Sequence, residues 1–197
     1  MNLIYQQAQF LHAAAELEQL PIDSGREVAF AGRSNAGKSS ALNALTQQKL
    51  ARTSKTPGRT QLIVSFTVGD NCRLIDLPGY GYAEVPMAVK QRWQHTLSRY
   101  LQERESLSGL VLLMDSRHPL KELDLAMIAW ARTAQLPLHV LLTKVDKLSN
   151  NEKFTTLKKV EKALADYPEV SVQLFSSESR EGLDTLKAKL THWYTQK

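Results

Sequence analysis

The sequence predicts an α/β protein whose mainly parallel sheet carries helices on both faces. Short apolar runs alternate with stretches in which apolar residues recur at helical spacing, an order typical of this fold class. The runs at 110–114 and 138–142 are dominated by Leu and Val, as expected for central strands covered on both sides. Six strands follow from these runs, at 28–31, 61–68, 71–75, 110–114, 138–142 and 171–175.

One strand of the six is expected to run antiparallel at an edge of the sheet. Gly69-Asp70 is a turn signal between the second and third strands, so these two strands should form a hairpin. An extra amphipathic helix is expected before the first strand, around 8–18. The other helices are expected at 40–46, 86–104, 120–134, 150–165 and 179–194, and Ser149-x-x-Glu152 opens the fourth of these as a capping box.

Length and composition indicate one globular domain spanning 1–197. Hydrophobic residues make up 43% of the chain, and no apolar run approaches the roughly 20 residues of a membrane span. The single cysteine, Cys72, cannot form an internal disulfide and is expected to be a small buried residue. With no signal-peptide pattern, a cytoplasmic location is expected.

The first motif fits G-x-x-x-x-G-K-[ST] and lies between an apolar run and a helical pattern, the context that this phosphate-binding loop requires. Its glycines let successive N–H groups point at a phosphate, and the following helix adds its positive end. Lys38 would supply a cation for the outer phosphates, and the Ser39 hydroxyl would bind Mg2+. The motif predicts binding of a nucleoside triphosphate by Gly32, Arg33, Ser34, Asn35, Ala36, Gly37, Lys38 and Ser39.

A second motif, D-x-x-G, follows the strand at 71–75 and comprises Asp76, Leu77, Pro78 and Gly79. A carboxylate at this place can hold Mg2+ through a water molecule. The Gly79 N–H can meet a γ-phosphate. These residues therefore extend the predicted phosphate site.

Two further segments predict that the base is guanine. Thr143-Lys144-Val145-Asp146 ends a strand as [NT]-K-x-D, and the Asp146 carboxylate can accept both N–H donors of the guanine N1/N2 edge. Adenine would leave that carboxylate unpaired. The stem of Lys144 can lie over the base or ribose. After the last strand, Phe175, Ser176 and Ser177 occupy the place of a turn whose backbone N–H reads guanine O6.

Taken in order, these motifs resemble the EngB family, bacterial P-loop GTPases also called YihA or YsxC. The resemblance runs through G-R-S-N-A-G-K-S, S-K-T-P-G-R-T-Q, D-L-P-G-Y-G-Y, D-S-R-H-P and T-K-x-D, from Gly32 to Ser177. It implies a three-layer Ras-like fold, binding of GTP and Mg2+, and slow GTP hydrolysis. It also implies a role in large ribosomal subunit assembly and in normal cell division and septation.

The resemblance assigns part of the site to the segment Gly58-Arg59-Thr60. The family's G-[KR]-T-Q pattern makes Thr60 the threonine that closes on Mg2+, and Thr56 is the second choice. The alternative is that Thr60 only caps a turn.

Catalysis is expected to involve Lys38, Asn35 and Thr60. Tyr80 follows D-x-x-G, where many GTPases place a glutamine that orients water. Asn35 resembles the asparagine of potassium-activated relatives, in which K+ replaces an arginine finger; alternatively, it only adopts a left-handed backbone. Tyr80 and Tyr82 are either exposed aromatics for RNA stacking or residues packed on the helix that follows.

Charge suggests a polyanionic partner. The net charge is +5, and no Asp or Glu occurs from Val28 to Gly69. The basic residues there either complement bound phosphates or bind RNA, most simply the large ribosomal subunit or its rRNA precursor. The alternative function is a signalling switch that acts on a protein partner without ribosome contact. A monomer is expected, with neither DNA nor a membrane as partner; the basic residues beyond the phosphate loop are Lys49, Arg52, Lys55 and Arg59.

Overall fold

The computed structural model describes residues 4–51, 62–81 and 87–196. Within this part, seven strands form one sheet: β1 (Gln9–Ala14), β2 (Arg26–Gly32), β3 (Ile63–Gly69), β4 (Cys72–Asp76), β5 (Leu107–Asp115), β6 (Leu138–Thr143) and β7 (Val170–Leu174). The helices are α1 (Lys38–Thr46), α2 (Met87–Glu103), α3 (Glu122–Thr133), α4 (Asn150–Ala163) and α5 (Leu183–Thr195). Each of the six predicted strands and five main predicted helices corresponds to one of these elements.

The strand order is β1-β3-β4-β2-β5-β6-β7, and every pairing from β4 to β7 is parallel. The predicted fold class is therefore confirmed. The hairpin is also present, because β3 pairs antiparallel with β4 across the turn at Gly69. The sheet has seven strands instead of the six expected, since β1 pairs antiparallel with β3 on its outer side. The antiparallel strand β3 thus lies one place inside the edge.

The extra helix predicted around 8–18 is wrong. This region forms strand β1, flanked by short 3-10 helices at Tyr5–Gln7 and Leu17–Gln19. Its pairing places Phe10 opposite Phe66, and the two rings meet edge to face at 6.5 Å. The open edge of β3 offers backbone partners to this segment, and such tertiary pairing outweighs a weak local preference for helix.

Helices cover both faces of the sheet, giving three layers. On one face, α1 and α5 pack on β2, with Leu42, Leu45 and Trp193 among the buried side chains. On the other face, α2, α3 and α4 supply residues such as Leu97, Met127 and Val160. Both faces of the central strands are therefore apolar, which explains their continuous apolar runs. No described helix has the length and hydropathy needed to cross a membrane.

The amino ends of the parallel strands are joined by a buried charged network around Glu27. The Glu27 carboxylate, 1% exposed, accepts hydrogen bonds from Arg73 Nε at 2.8 Å and from the guanidinium of Arg104 at 2.8 and 3.1 Å. The hydroxyl of Tyr100 donates to the same carboxylate at 2.9 Å. Paired in this way, a buried carboxylate ties α2 to strands β2 and β4.

A buried histidine lies between β6 and β7. His139 is 3% exposed, with Nδ1 2.8 Å from Ser171 Oγ and Nε2 2.9 Å from Gln173 Oε1. Its ring meets Trp193 edge to face at 6.3 Å. Burial lowers the pKa of His139 to about 4. The ring is therefore neutral at pH 7.

We expect this depressed pKa to appear in the pH dependence of stability. The stabilisation is fully present above the unfolded pKa of about 6.5 and is lost as pH falls towards the folded value, amounting to about 2–3 kcal/mol between pH 7 and pH 4.5. Urea unfolding at the two pH values should show a correspondingly smaller loss for His139→Gln than for the unaltered protein. His192→Gln, at an exposed position of α5, is the control and should follow the unaltered protein. A full-sized loss in His139→Gln would contradict this expectation.

Candidate functional site

The site lies at the carboxyl edge of the parallel strands. Strand β2 pairs with β4 on one side and with β5 on the other, so chain connections leave this point in opposite directions. Such a switch point in an open α/β sheet creates a crevice for a ligand. The motifs that lie within the described residues all follow β2, β4, β5, β6 or β7 at this edge.

The phosphate-loop segment forms a tight turn between β2 and α1. Ala36 N–H donates to the Arg33 carbonyl at 2.9 Å, and Gly37 caps α1 with a φ of +96°. This left-handed angle is readily adopted by glycine. Asn35, which is exposed, also has a positive φ, +64°. The loop therefore brings its backbone to the positive end of a nine-residue helix, an arrangement suited to binding an anion.

Two opposite charges meet beside this loop. Lys38, the first residue of α1, forms an ion pair with Asp76 at the end of β4. Their side chains are only 12% and 14% exposed. Ser39 follows Lys38 in the first turn of α1 and is partly buried.

The oxygen donors here fit Mg2+, which favours a few hard oxygen ligands completed by waters and phosphates. Ser39 and Asp76 supply a hydroxyl and a carboxylate next to the phosphate loop. Among the residues that the structure describes, no group of three His, Cys, Asp or Glu could hold a metal. The predicted third donor, Thr60, lies outside the described residues, as do Gly58 and Arg59.

The D-x-x-G segment runs beside the extension of β2. Leu77 N–H donates to the Phe30 carbonyl at 3.0 Å, and Leu77 and Pro78 are buried while Gly79 is partly exposed. Tyr80 is 2% exposed and packs on Trp93 of α2. Of the two alternatives for Tyr80, packing on the following helix is therefore the observed one; Tyr82 lies outside the described residues.

The base-binding segment touches the phosphate loop directly. The hydroxyl of Thr143 lies 2.6 Å from the Ala36 carbonyl oxygen. Lys144 has a φ of +60°, and its ammonium donates to the Asn35 carbonyl at 2.7 Å. The stem of Lys144 therefore extends from the end of β6 across to the loop after β2.

Asp146 and Ser176 meet at the outer end of the crevice. Ser176 Oγ donates to Asp146 Oδ1 at 2.7 Å, and Lys147 Nζ is 3.1 Å from Oδ2. The hydrogen bond from Ser176 is the main cause that lowers the pKa of Asp146. The carboxylate is thus ionised at neutral pH and can accept from two N–H donors. Phe175 is buried behind it, and Ser177 is partly exposed beside it.

Asp115 and Arg117 lie beside the base-binding segment, although the sequence motifs did not predict a role for either residue. Asp115 ends β5 and accepts from Arg117 at 2.7 and 2.9 Å. Its Oδ2 also lies 3.0 Å from Lys144 Nζ. These contacts hold the pKa of Asp115 well below its usual range, and the hydrogen bond from Arg117 has the largest effect. The D-S-R-H-P run contains both residues, but only the fold shows that Asp115 faces Lys144.

A phosphate loop, a D-x-x-G segment and a T-K-x-D segment at one sheet edge define a P-loop GTPase. Residues 27–144 match the model of a family described as 50S ribosome-binding GTPase. The chain is 56% identical over 198 residues to the probable GTP-binding protein EngB of Glaesserella parasuis serovar 5, covering 100% of this chain and 95% of that protein. It is 57% identical over 197 residues to that of Escherichia coli K12, covering 99% and 94%. The chain therefore belongs to the EngB family of GTP-binding proteins, and it is a GTPase.

Solved structures show the same fold. The crystal structure of a probable GTP-binding protein engB matches with a TM-score of 0.68 at 20% identity, covering 87% of this chain and 99% of that one. Era in complex with MgGDPNP and nucleotides 1506–1542 of 16S ribosomal RNA matches with a TM-score of 0.63 at 20% identity, covering 84% and 56%. The G domain of the T. maritima FeoB iron transporter matches with a TM-score of 0.57 at 29% identity, covering 88% and 100%.

Proposed function

We propose that this GTPase is a switch in assembly of the large ribosomal subunit and is needed for normal cell division and septation. The observation that carries the proposal is the match of residues 27–144 to a ribosome-binding GTPase family, together with a site whose two ends are joined in one crevice. The binding of Era to ribosomal RNA, in a chain of the same fold, supports an RNA partner. Lys49, at the start of the basic stretch, is exposed and follows the carboxyl end of α1.

In this proposal, the backbone of the phosphate loop and Lys38 bind the phosphates of GTP. The contact of Lys38 with Asp76 supports this role, because both charges lie where phosphates and a divalent ion would meet. Ser39 and Asp76, with Thr60 from outside the described residues, hold Mg2+, which when bound neutralises charge on the phosphates. Gly58 and Arg59 adjoin Thr60 in the same proposed role. Leu77 and Pro78 position Gly79 for the γ-phosphate.

At the other end, Asp146 accepts the N1 and N2 donors of guanine. Ser176 supports this role by holding one carboxylate oxygen at 2.7 Å. Lys144 lies along the base or ribose and is itself held by Asp115 and the Asn35 carbonyl. The turn of Phe175, Ser176 and Ser177 contributes backbone donors for guanine O6. Thr143 links this end to the phosphate loop.

We further propose that hydrolysis is slow in the isolated protein and is stimulated by K+. Tyr80 has no amide, and its hydroxyl is already donated to Asp124 at 2.9 Å, so it does not orient a water as glutamine would. The transition state also needs positive charge between the β- and γ-phosphates, which a monovalent cation held by Asn35 would supply. The left-handed backbone angle of Asn35 agrees with a purely conformational role for this residue. Asn35 is also an exposed residue of the phosphate loop, and in this proposal it binds K+.

The guanine assignment predicts a base-specific variant. Asp146→Asn should weaken GTP binding by roughly 2–5 kcal/mol, because a charge-assisted contact that the bound guanine would cover loses its partner. Xanthosine triphosphate, whose edge suits an amide, should be preferred instead. Titration calorimetry with both nucleotides checks this, and Asp166→Asn, at an exposed position after α4, is the control. Unchanged GTP affinity in Asp146→Asn would contradict the assignment.

The ribosomal proposal is tested by sedimentation with purified large subunits. The protein should co-sediment with them when bound to a non-hydrolysable GTP analogue and much less with GDP. Neutral substitution of Lys49, Arg52, Lys55 and Arg59 should reduce the slope of log affinity against log salt by up to about 4, since each phosphate contact contributes roughly one unit. Lys158 and Lys162 of α4, substituted likewise, serve as the control. Binding to a protein partner but not to ribosomal subunits would favour the signalling alternative.

The proposed cation predicts a salt-specific rate. GTP hydrolysis should be faster in K+ than in Na+ at equal ionic strength, and Asn35→Ala should abolish the difference with little change in GDP affinity. Phosphate release measured alone and with large subunits provides the comparison. A single stabilising donor in such a site is worth about 3–4 kcal/mol, so the effect should be readily measured. Equal rates in both salts under both conditions would leave Asn35 as a backbone residue only.

A further inference from the structure

Tyr80 joins the D-x-x-G segment to the phosphate loop through its backbone. Its N–H donates to the Gly32 carbonyl at 3.3 Å, and its carbonyl oxygen accepts the Ser34 N–H at 2.7 Å. These two bonds lie on either side of Arg33, which forms a parallel bridge with Tyr80. The pairing of β2 and β4 is thereby extended past the last residue of both strands. As a result, Gly79, the preceding residue, is held beside the phosphate loop.

The side chain of Tyr80 anchors this junction to α3. Its hydroxyl donates to Asp124 Oδ1 at 2.9 Å, and Asp124 is only 1% exposed. The second oxygen of Asp124 accepts the Lys121 N–H at 3.0 Å, at the start of α3. The Trp93 ring of α2 packs on the phenol with a centroid distance of 5.7 Å. A segment that follows β4 is therefore fixed to two helices on one face of the sheet.

This anchor is well suited to persist at physiological pH. Burial raises the pKa of the Tyr80 phenol well above 10, so the phenol keeps the proton that it donates. Within a water-excluded pocket, a hydrogen bond to a carboxyl group is stronger than at the surface. Gly81, with a φ of +82°, lets the chain turn away directly after the anchor, and a Cβ there would lie 3.4 Å from Arg33 Nε.

We propose that Tyr80 is a positioning residue for the γ-phosphate, because its hydrogen bond to Asp124 holds Gly79 in place before the nucleotide binds. The inference rests on the proposed role of Gly79 as a γ-phosphate ligand. A protein group that is already held in place binds its ligand more tightly than a group that must become ordered on binding. GDP has no γ-phosphate, so its affinity does not depend on this anchor. Tyr80 therefore raises the affinity for GTP relative to that for GDP.

The test is Tyr80→Phe, which removes only the hydroxyl. Affinity for a non-hydrolysable GTP analogue should fall about fivefold to tenfold, the effect of one lost hydrogen bond, while GDP affinity should stay within about twofold. Tyr100→Phe is the matched control, since Tyr100 is also fully buried and also donates to a buried carboxylate, Glu27, at 2.9 Å. Both variants should lower stability, but only Tyr80→Phe should change the ratio of the two affinities.

Asp124→Ala approaches the same bond from its other partner and keeps the test decisive if one variant folds poorly. It should lower the GTP-analogue affinity selectively, and adding Tyr80→Phe should cause little further loss, because both remove one interaction. Equal weakening of both nucleotides, or an unchanged or increased GTP preference in Tyr80→Phe, would overturn the inference. If the unaltered protein bound neither nucleotide, the proposed role of the site would fall as well.

Discussion

The pairing of strand β2 on both sides is the constraint on which the rest of the site depends. Its residues from Val28 to Ala31 are fully buried, with β4 and β5 as neighbours. The strand leads directly into the phosphate loop at Gly32, where a Cβ would lie only 3.0 Å from the Leu113 carbonyl oxygen. The start of the loop is therefore closely packed against β5 and held beside the ends of the two neighbouring strands. Close packing at Gly32 thus helps to fix the position of the phosphate loop.

The two ends of the crevice are joined by the need to satisfy backbone polar groups. A loop that presents N–H groups to an anion leaves its carbonyl groups to find partners elsewhere. Here Thr143 and Lys144, from the base-binding segment, supply partners for the carbonyls of Ala36 and Asn35. The two ends of the crevice are therefore in direct contact. Asp115 completes this link by fixing the ammonium of Lys144 at 3.0 Å.

The charged side chains at the two ends of the parallel strands differ in how completely they are enclosed by the protein. At the amino ends, Glu27 is enclosed by Arg73, Arg104 and Tyr100, so its hydrogen-bonding capacity is used within the protein. At the carboxyl ends, Lys38 and Asp76 pair while remaining partly exposed. A closed ion pair stabilises position, whereas a partly open one can exchange its partner for a ligand. The same sheet thus has a structural end and a functional end.

Local patterns in the sequence were sufficient to predict most elements and motif positions. Short apolar runs such as 110–114 and 138–142 are typical of buried central strands, and the phosphate loop carries its own strand and helix signals. The capping box at Ser149 was equally local, and the structure confirms it through the Glu152 contacts. Periodicity alone, however, could not distinguish helix from strand around Phe10, because the decisive partner, Phe66, is distant in the chain.

The sequence by itself therefore determined the fold class, the order of the motifs and the edge of the sheet at which they meet. Only the tertiary structure decided that β1 completes the sheet, that Asp115 holds Lys144, and that Tyr80 is buried against Asp124. The physical reason is the range of the interactions. Turns, caps and apolar periodicity depend on neighbours within a few residues, whereas strand pairing and buried hydrogen bonds depend on groups that folding alone brings together.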